Sequence, residues 1–549
     1  MEAITTTLLL LVAVVLSGIF TRAMPFAIPL PLVQIAFGAL IVSVADLGIE
    51  LEPTTFFLLF LPPLLFVDGW RIPKEGLFRD KATILELAFG LVIFTVLGLG
   101  LFIHWMIPAM PLPVAFALAA ILSPTDPIAV SSIAARIPIP RRLMHILEGE
   151  SLLNDASGLV CMRFALAAAM TGTFSLVDAS ATFLWIAVGG IAVGVGVTTS
   201  ITWMKGQVAN RLGEDTASQI LISLLMPFGA YLLAEYLHCS GILAAVAAGI
   251  TMSYVEFSGR ALAVTRVQRN AVWETVRFTT SGVIFVLLGE QLPNIFNGAA
   301  KAVREAGHFE PFLLVVYVVA ITLVLTSLRL LWVWVSLRFT LFRASRKGLR
   351  VYKPSWRLVV VTSIAGVRGA VTLAGVLTLP LVMRDGSPFP GRELAIFLAA
   401  GVIILSLLVA SLGLPFLLKG LELPPEPSED EQEDVARNAA AEAAIRAIER
   451  LQFEQGPGRA DADRYAEVAA GIMGVYRQRI DGRSKSGEEA ELSRKLNQIE
   501  QDLRLAGLRA ERDEFYRMSR SREISEEVGL RLVREVDLVE TRLAMGRSS

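Results

Sequence analysis

The sequence predicts an all-α polytopic membrane protein followed by a soluble helical domain. Three observations carry that expectation. Of the 549 residues, 54% are hydrophobic and only 18% charged, with a mean hydropathy of +0.59; soluble globular chains are less apolar and more charged. The apolarity is confined to residues 1–420, whereas residues 425–549 are rich in charge and alanine. Within 1–420 the apolar runs recur at about 17–25 residues, the length that crosses a bilayer as a helix.

Crossings are expected at 4–20, 32–48, 54–68, 82–106, 113–135, 143–171, 181–204, 216–237, 240–256, 271–291, 311–337, 358–383 and 393–419, about thirteen in all. The first follows Glu2 and no basic residue, so it is expected to stay as a helix rather than be cleaved as a signal. With the first span entering from outside, the inner loops hold Arg22, the cluster Arg71, Lys74, Arg79 and Lys81, the trio Arg136, Arg141 and Arg142, Lys205 and Arg211, and Arg260, Arg266 and Arg269. The basic run 338–357 joins them, while the outer loops hold Lys301, Arg304, Arg384 and Arg392 and the acidic stretch 46–52. The bias is about twenty basic residues against four, which places the N-terminus outside and the tail in the cytoplasm of a plasma (inner) membrane protein. The run 338–357 is also placed to meet anionic lipid.

Span three ends in Asp68 of PPLLFVDGW, read equally as lining a site or as interfacial. In span five, Pro124 and Pro127 flank Thr125 and Asp126. Prolines remove backbone hydrogen bonds and clash with the preceding turn, so this helix should be interrupted. Asp126 lies about 20 Å along the span, near mid-membrane. Unwound backbone at that depth lines a cavity or is buried in protein, and its freed carbonyls can coordinate a cation. The plainer alternative is a kink with Asp126 capping the second half-helix.

Span six carries Glu148, Glu150, Ser151, Asn154 and Asp155. Ser151, Asn154 and Asp155 stand at i, i+3 and i+4 and share a face; Asp155 is about 18 Å deep, level with Asp126. Ionisable groups at such depth usually mark ion paths. Hydroxyls, carboxylates and carbonyls are hard oxygen ligands suited to an alkali cation. One buried carboxylate can hold a proton or a cation, not both, and that competition is the basis of cation/proton exchange. A polar helix–helix contact is the alternative. In span twelve, SIAGVRGAVTLAG places Arg368 about 16 Å deep among small residues. A buried guanidinium needs a carboxylate; Glu150 is the first expected partner and Glu148 the second, forming a structural ion pair. Arg163 has no assigned partner. Glu274 and Arg277 are spaced for a local pair on span ten. Spans five and twelve hold equivalent places if 1–6 and 8–13 are inverted repeats, so they are expected to be corresponding interruptions near the site.

The rest of the chain narrows the function classes. A net charge of −1 gives no basis for nucleic acid. Cys161 and Cys239 read as small buried hydrophobes, and the four histidines are scattered, so no metal cluster and no cofactor is expected. Without a nucleotide loop or nucleophile elbow, an enzyme is not expected. The tail reads as helices, as in AAAEAAIRAIERL, with loops at GPGRA and DGRSKSGEE.

Taken together and in this order, SPTDPIAV, ILEGESLLNDASGLV, SGILAAVAAG and AGVRGAVTLAGV resemble the bacterial sodium/proton exchangers of the monovalent cation:proton antiporter-1 family, over residues 1–420. The resemblance implies a homodimer of thirteen-helix protomers with crossed broken helices five and twelve. It implies a mobile core, spans 82–171 and 311–419, sliding past dimerisation spans 4–68 and 181–291. It implies that Asp155 binds the proton or Na+, helped by Ser151, the Thr125 backbone and Asp126, with Asn154 orienting the unwound stretch and Glu150 and Arg368 as the structural pair. Asn–Asp at 154–155 resembles electroneutral members, one proton for one cation. Asp68 stands where the family often has Glu. The alternatives carried beside Na+ are K+ or Li+ as the exchanged ion, and a non-transporting ion or pH sensor that signals through the tail.

Overall fold

The structure is a computed structural model that describes residues 2–24, 28–44, 53–72, 74–127, 130–131, 139, 141–171, 176–213, 215–256, 263–305, 312–346, 355–383, 386–419, 429–455, 462–484 and 488–545. The acidic stretch 46–52, most of the second half of predicted span five (132–138), the end of the basic run (347–354) and the GPGRA loop lie outside the described residues. The chain forms two compact units, Met1–Glu422 and Leu423–Ser549.

Among the described residues the regular structure of the first unit is all helical, apart from one isolated bridge between Val382 and Pro388. Its helices are α1 (Glu2–Ala23), α2 (Leu30–Val44), α3 (Pro53–Arg71), α4 (Lys74–Arg79), α5 (Lys81–Leu85), α6 (Val92–Met106) and α7 (Leu112–Leu122). After the interruption come α8 (Arg141–Thr171), α9 (Leu176–Leu212), α10 (Thr216–Tyr236), α11 (Gly241–Glu256), α12 (Ala263–Glu305), α13 (Phe312–Arg346), α14 (Trp356–Ile364), α15 (Ala370–Leu377) and α16 (Arg392–Leu418). Every predicted span overlaps one of these helices or a broken pair. Eight of the described helices are long and apolar enough to cross a membrane, and Leu30–Ser43, Leu112–Leu122 and Gly241–Glu256 are shorter apolar ones.

The helices sort by packing into two groups. In one, α3 and α9 pack on α11, α2 packs on α12, and α1 packs on α2 and α12. Close approach there depends on glycine. A Cβ at Gly69 of α3 would lie 2.6 Å from the Val246 carbonyl of α11, and one at Gly249 of α11 would strike the Phe66 carbonyl of α3. Small residues let membrane helices approach in this way. In the other group, α6 and α8 pack on α7, and α13, α14 and α15 pack on α16. A π-helical segment, Glu86–Leu91, joins α5 to α6. Such a segment disturbs the regular carbonyl ladder, and the Ser157 hydroxyl of α8 donates to the Ala88 carbonyl there at 2.6 Å.

The second unit holds α17 (Glu429–Gln455), α18 (Ala462–Ser484), α19 (Glu488–Arg520) and α20 (Glu526–Met545). The predicted DGRSKSGEE loop is shorter than expected, because α18 continues through Ser484 and α19 starts at Glu488. In the hairpin of α19 and α20, Leu505, Val533 and Val536 are buried. Arg512 bridges Asp537 at 2.9 Å and Glu540 at 2.6 Å.

Candidate ion-binding site

The expected interruption of span five is present. Helix α7 stops at Leu122, and Ser123–Pro127 is not helical. The stretch Gly366–Gly369 likewise separates α14 from α15. The two unwound stretches cross: the Asp126 N–H donates to the Val367 carbonyl at 2.7 Å. The Asp126 carboxylate lies so close to Gly369 that any side chain there would collide with it, which is why the crossing needs glycine. Helix ends leave carbonyls without partners, and buried ones must find donors. Arg368 supplies them. Its Nε donates to the Leu122 carbonyl at 2.9 Å and its Nη1 to the Gly366 carbonyl. Its backbone N–H donates to Ser406 Oγ of α16 at 3.2 Å.

This corrects the expected partner of Glu150. The carboxylate pairs with Arg329 of α13, not with Arg368. Arg329 Nη2 donates to Glu150 Oε2 at 2.7 Å, and Nη1 to Oε1. The two side chains are 3% and 1% exposed, so this is a fully desolvated, forked pair of the strong kind. Arg329 Nε also donates to the Thr362 carbonyl in α14 at 3.0 Å. One guanidinium thus joins α8, α13 and the end of α14. The physical reason is competition: Arg329 reaches Glu150 from α13, whereas the Arg368 guanidinium is taken up by the orphan carbonyls of the two breaks, Leu122 and Gly366. Sequence reasoning did not single out Arg329. The signal was a lone arginine about 17 residues into an apolar run, near mid-membrane.

On the α8 face, Ser151, Asn154 and Asp155 are all buried, as is Thr125 across from them. Asn154 Nδ2 donates to Thr125 Oγ1 at 3.0 Å, and Thr125 Oγ1 donates to Glu150 Oε1 at 3.3 Å. The chain Asn154–Thr125–Glu150–Arg329 therefore ties the unwound stretch to α8. Asn154 Oδ1 is buried and has no hydrogen-bond partner among the described residues, which leaves a spare oxygen at the site. Asp126 and Asp68 are half-buried. Asp155 is within electrostatic reach of both Asp126 and Asp68, so the three carboxylates lie near one another.

Asp68 is within electrostatic reach of Asp126 and Glu148, and it has company. Arg277 of α12 pairs with it at 3.5 Å. The expected local pair of Glu274 with Arg277 does not form; Glu274 reaches Arg71 of α3 at 2.7 Å. Arg163 finds Glu235, at the end of α10, at 3.2 Å. Each of these partners lies on another helix. Chemically, the region offers carboxylates, hydroxyls and unwound backbone carbonyls, a hard-oxygen set for a small alkali cation.

Comparison with known proteins fits this geometry. Residues 8–420 match the model of the sodium/hydrogen exchanger transmembrane family. An uncharacterized Na+/H+ exchanger of Escherichia coli K12 is 41% identical, with 99% of each chain covered. A sodium, potassium, lithium and rubidium/H+ antiporter of Bacillus subtilis is 39% identical, over 96% of this chain and 76% of that one. The solved sodium proton antiporter of Methanocaldococcus jannaschii is 19% identical, with a TM-score of 0.56 over 77% of this chain and 99% of that one; it shares the fold. The family match and the two sequence relatives, over most of the chain, make this protein a member of the sodium/hydrogen exchanger family.

Proposed function

We propose that this chain exchanges Na+ for H+, one for one, through the site around Asp155. The crossing of the two unwound stretches at Asp126 and Val367, beside a buried aspartate, is the observation that carries this reading. Desolvation opposes a bare carboxylate at that depth, so Asp155 is occupied by one positive charge at a time. Loaded with H+ or with Na+, the site carries the same net charge, and exchange moves none across the membrane. Ser151, Thr125, Asp126 and Asp68 complete the ligand set.

The packing supports an elevator-type movement. Spans 82–171 and 311–419 would form the mobile core, and spans 4–68 and 181–291 the dimerisation body of a homodimer. Thirteen crossings put the N-terminus outside and the tail in the cytoplasm, as the basic-loop bias favours. The tail is read as a helical domain in the cytoplasm. K+ and Li+ stay in the reading as further substrates, because the Bacillus relative is named for sodium, potassium, lithium and rubidium and the same oxygen ligands serve all of them.

The test is a proteoliposome assay with a trapped pH dye, pulsed with Na+, Li+, K+ or choline. Na+ is expected to restore the dye signal, and choline to leave it unchanged. No response to any alkali cation, from folded dimeric protein, would refute exchange and favour the sensor reading. A second expected result concerns charge. Asn154→Asp adds a carboxylate without adding a countercharge, so transport by that variant stays electroneutral. A membrane potential generated by the variant, read with a voltage dye, would refute this.

A further inference from the structure

Arg277 plays no part in the reaction as described so far, yet it touches the site. Its helix neighbour Glu274 is engaged with Arg71 at 2.7 Å, so Arg277 is not neutralised locally. Its contact is Asp68, at 3.5 Å, with the two side chains 32% and 38% exposed. The charged groups within its electrostatic reach are Asp68 on α3 and Glu148 on α8; Arg71 also acts on Asp68 and holds Glu274, His145 stands one turn before Glu148, and Asp126 reaches Asp68 electrostatically. This pair differs in kind from Glu150–Arg329. It has one long contact, it is open to water, and half-exposed pairs of this sort are weak. It can change partners at small cost.

We propose that Arg277 is a tethered competitor of the transported cation: it holds Asp68 while the site is empty and must release it when the cation binds, so it sets the site's affinity. The inference rests on the reading above, in which Asp68, Asp126 and Asp155 receive the ion. Asp68 and Arg277 lie on α3 and α12, which pack against each other in one helix group, whereas Asp126 and Asp155 belong to the other. Asp68 can therefore join the cation only while the two groups are in register. When they separate, Arg277 is at hand to take Asp68 back. The guanidinium keeps an unoccupied cluster of acids from repelling itself apart, and the same charge weakens the hold on the ion.

A fixed positive charge opposes either occupant, cation or proton. Its removal should lower the apparent KM for Na+ at alkaline pH, where few protons compete, and leave it nearly unchanged at acidic pH, where the proton gains as much. The test uses the full chain in proteoliposomes, with Arg277→Gln and, as a second neutral variant that keeps an apolar stem, Arg277→Met. Initial rates against Na+ concentration at alkaline pH are expected to give a KM about three- to tenfold below the wild type, the size expected of one charge at this distance in a wet cleft. Vmax should be equal or lower, since release becomes slower. Arg277→Lys should keep the wild-type KM within about twofold, because charge and not shape is the cause. In an Asp68→Asn background, Arg277→Gln should change KM far less.

A KM unchanged or raised in the neutral variants, with Vmax reduced, would overturn the proposal and leave Arg277 as a strut between α3 and α12. Equal KM shifts at alkaline and acidic pH would overturn it as well. Asp155→Asn, assayed in parallel, tests the underlying reading separately. Exchange by that variant would refute the site assignment, whereas an inactive Asp155→Asn beside an unshifted Arg277→Gln refutes this inference alone.

Discussion

Asp155→Asn is expected to abolish exchange while leaving the fold intact. The side chain is 7% exposed and the amide is nearly the same size, so packing does not change. What changes is charge. An amide neither takes up nor releases a proton at working pH and gives no countercharge to Na+, so the ion would have to shed its water against a neutral site. A buried charge without its partner is destabilised by several kcal/mol, and every 1.4 kcal/mol is about tenfold in affinity. Transport is therefore expected to fall by at least about a hundredfold. The measurement is the dye assay beside size-exclusion and thermal unfolding of the same preparation. A well-folded variant that exchanges Na+ within a few-fold of the wild type would remove Asp155 from its role. Asp126→Asn should be milder, because the Asp126 contact that holds the crossing to Val367 is made by its backbone N–H.

What the sequence could say about this site follows the chain, and what it could not say lies between helices. The prolines at 124 and 127 forced the interruption of span five, and the 3.6-residue period put Ser151, Asn154 and Asp155 on one buried face. Both are local consequences of covalent geometry. The partners of Glu150, Arg277, Glu274 and Arg163 are all on other helices. A partner across a helix interface depends on depth, rotation and crossing angle together, and one sequence fixes none of them. Arg368 shows the difficulty. Depth alone made it as good a partner for Glu150 as Arg329, but the breaks in its own span and in span five exposed carbonyls that compete for the guanidinium. The helix groups were legible only as segment order, and Gly369 only as one small residue among several; its need appears when Asp126 is seen against it.

Arg329→Ala should be the most damaging substitution outside the ion site. It strips Glu150, 1% exposed, of its counterion and leaves the Thr362 carbonyl without the Nε donor. Removing one partner of a buried pair typically costs about 3–5 kcal/mol, a large part of the roughly 5–15 kcal/mol that holds a domain folded. Thermal unfolding in detergent is expected to show a large fall in melting temperature and little folded protein should survive purification. Arg329→Lys should rescue only in part, because an ammonium is a point charge and cannot reproduce the forked contact. The double variant Glu150→Leu with Arg329→Met separates the two roles of the pair. It removes both charges at once, and such apolar replacements are often neutral or stabilising, so much of the lost stability should return. Transport should not return with it, because the Thr125 hydroxyl then loses the acceptor on Glu150 that helps to fix the unwound stretch beside Asp155. Wild-type melting in Arg329→Ala would show the pair to be dispensable for the fold. Full transport by the double variant would show that Glu150 is not what holds Thr125 in place.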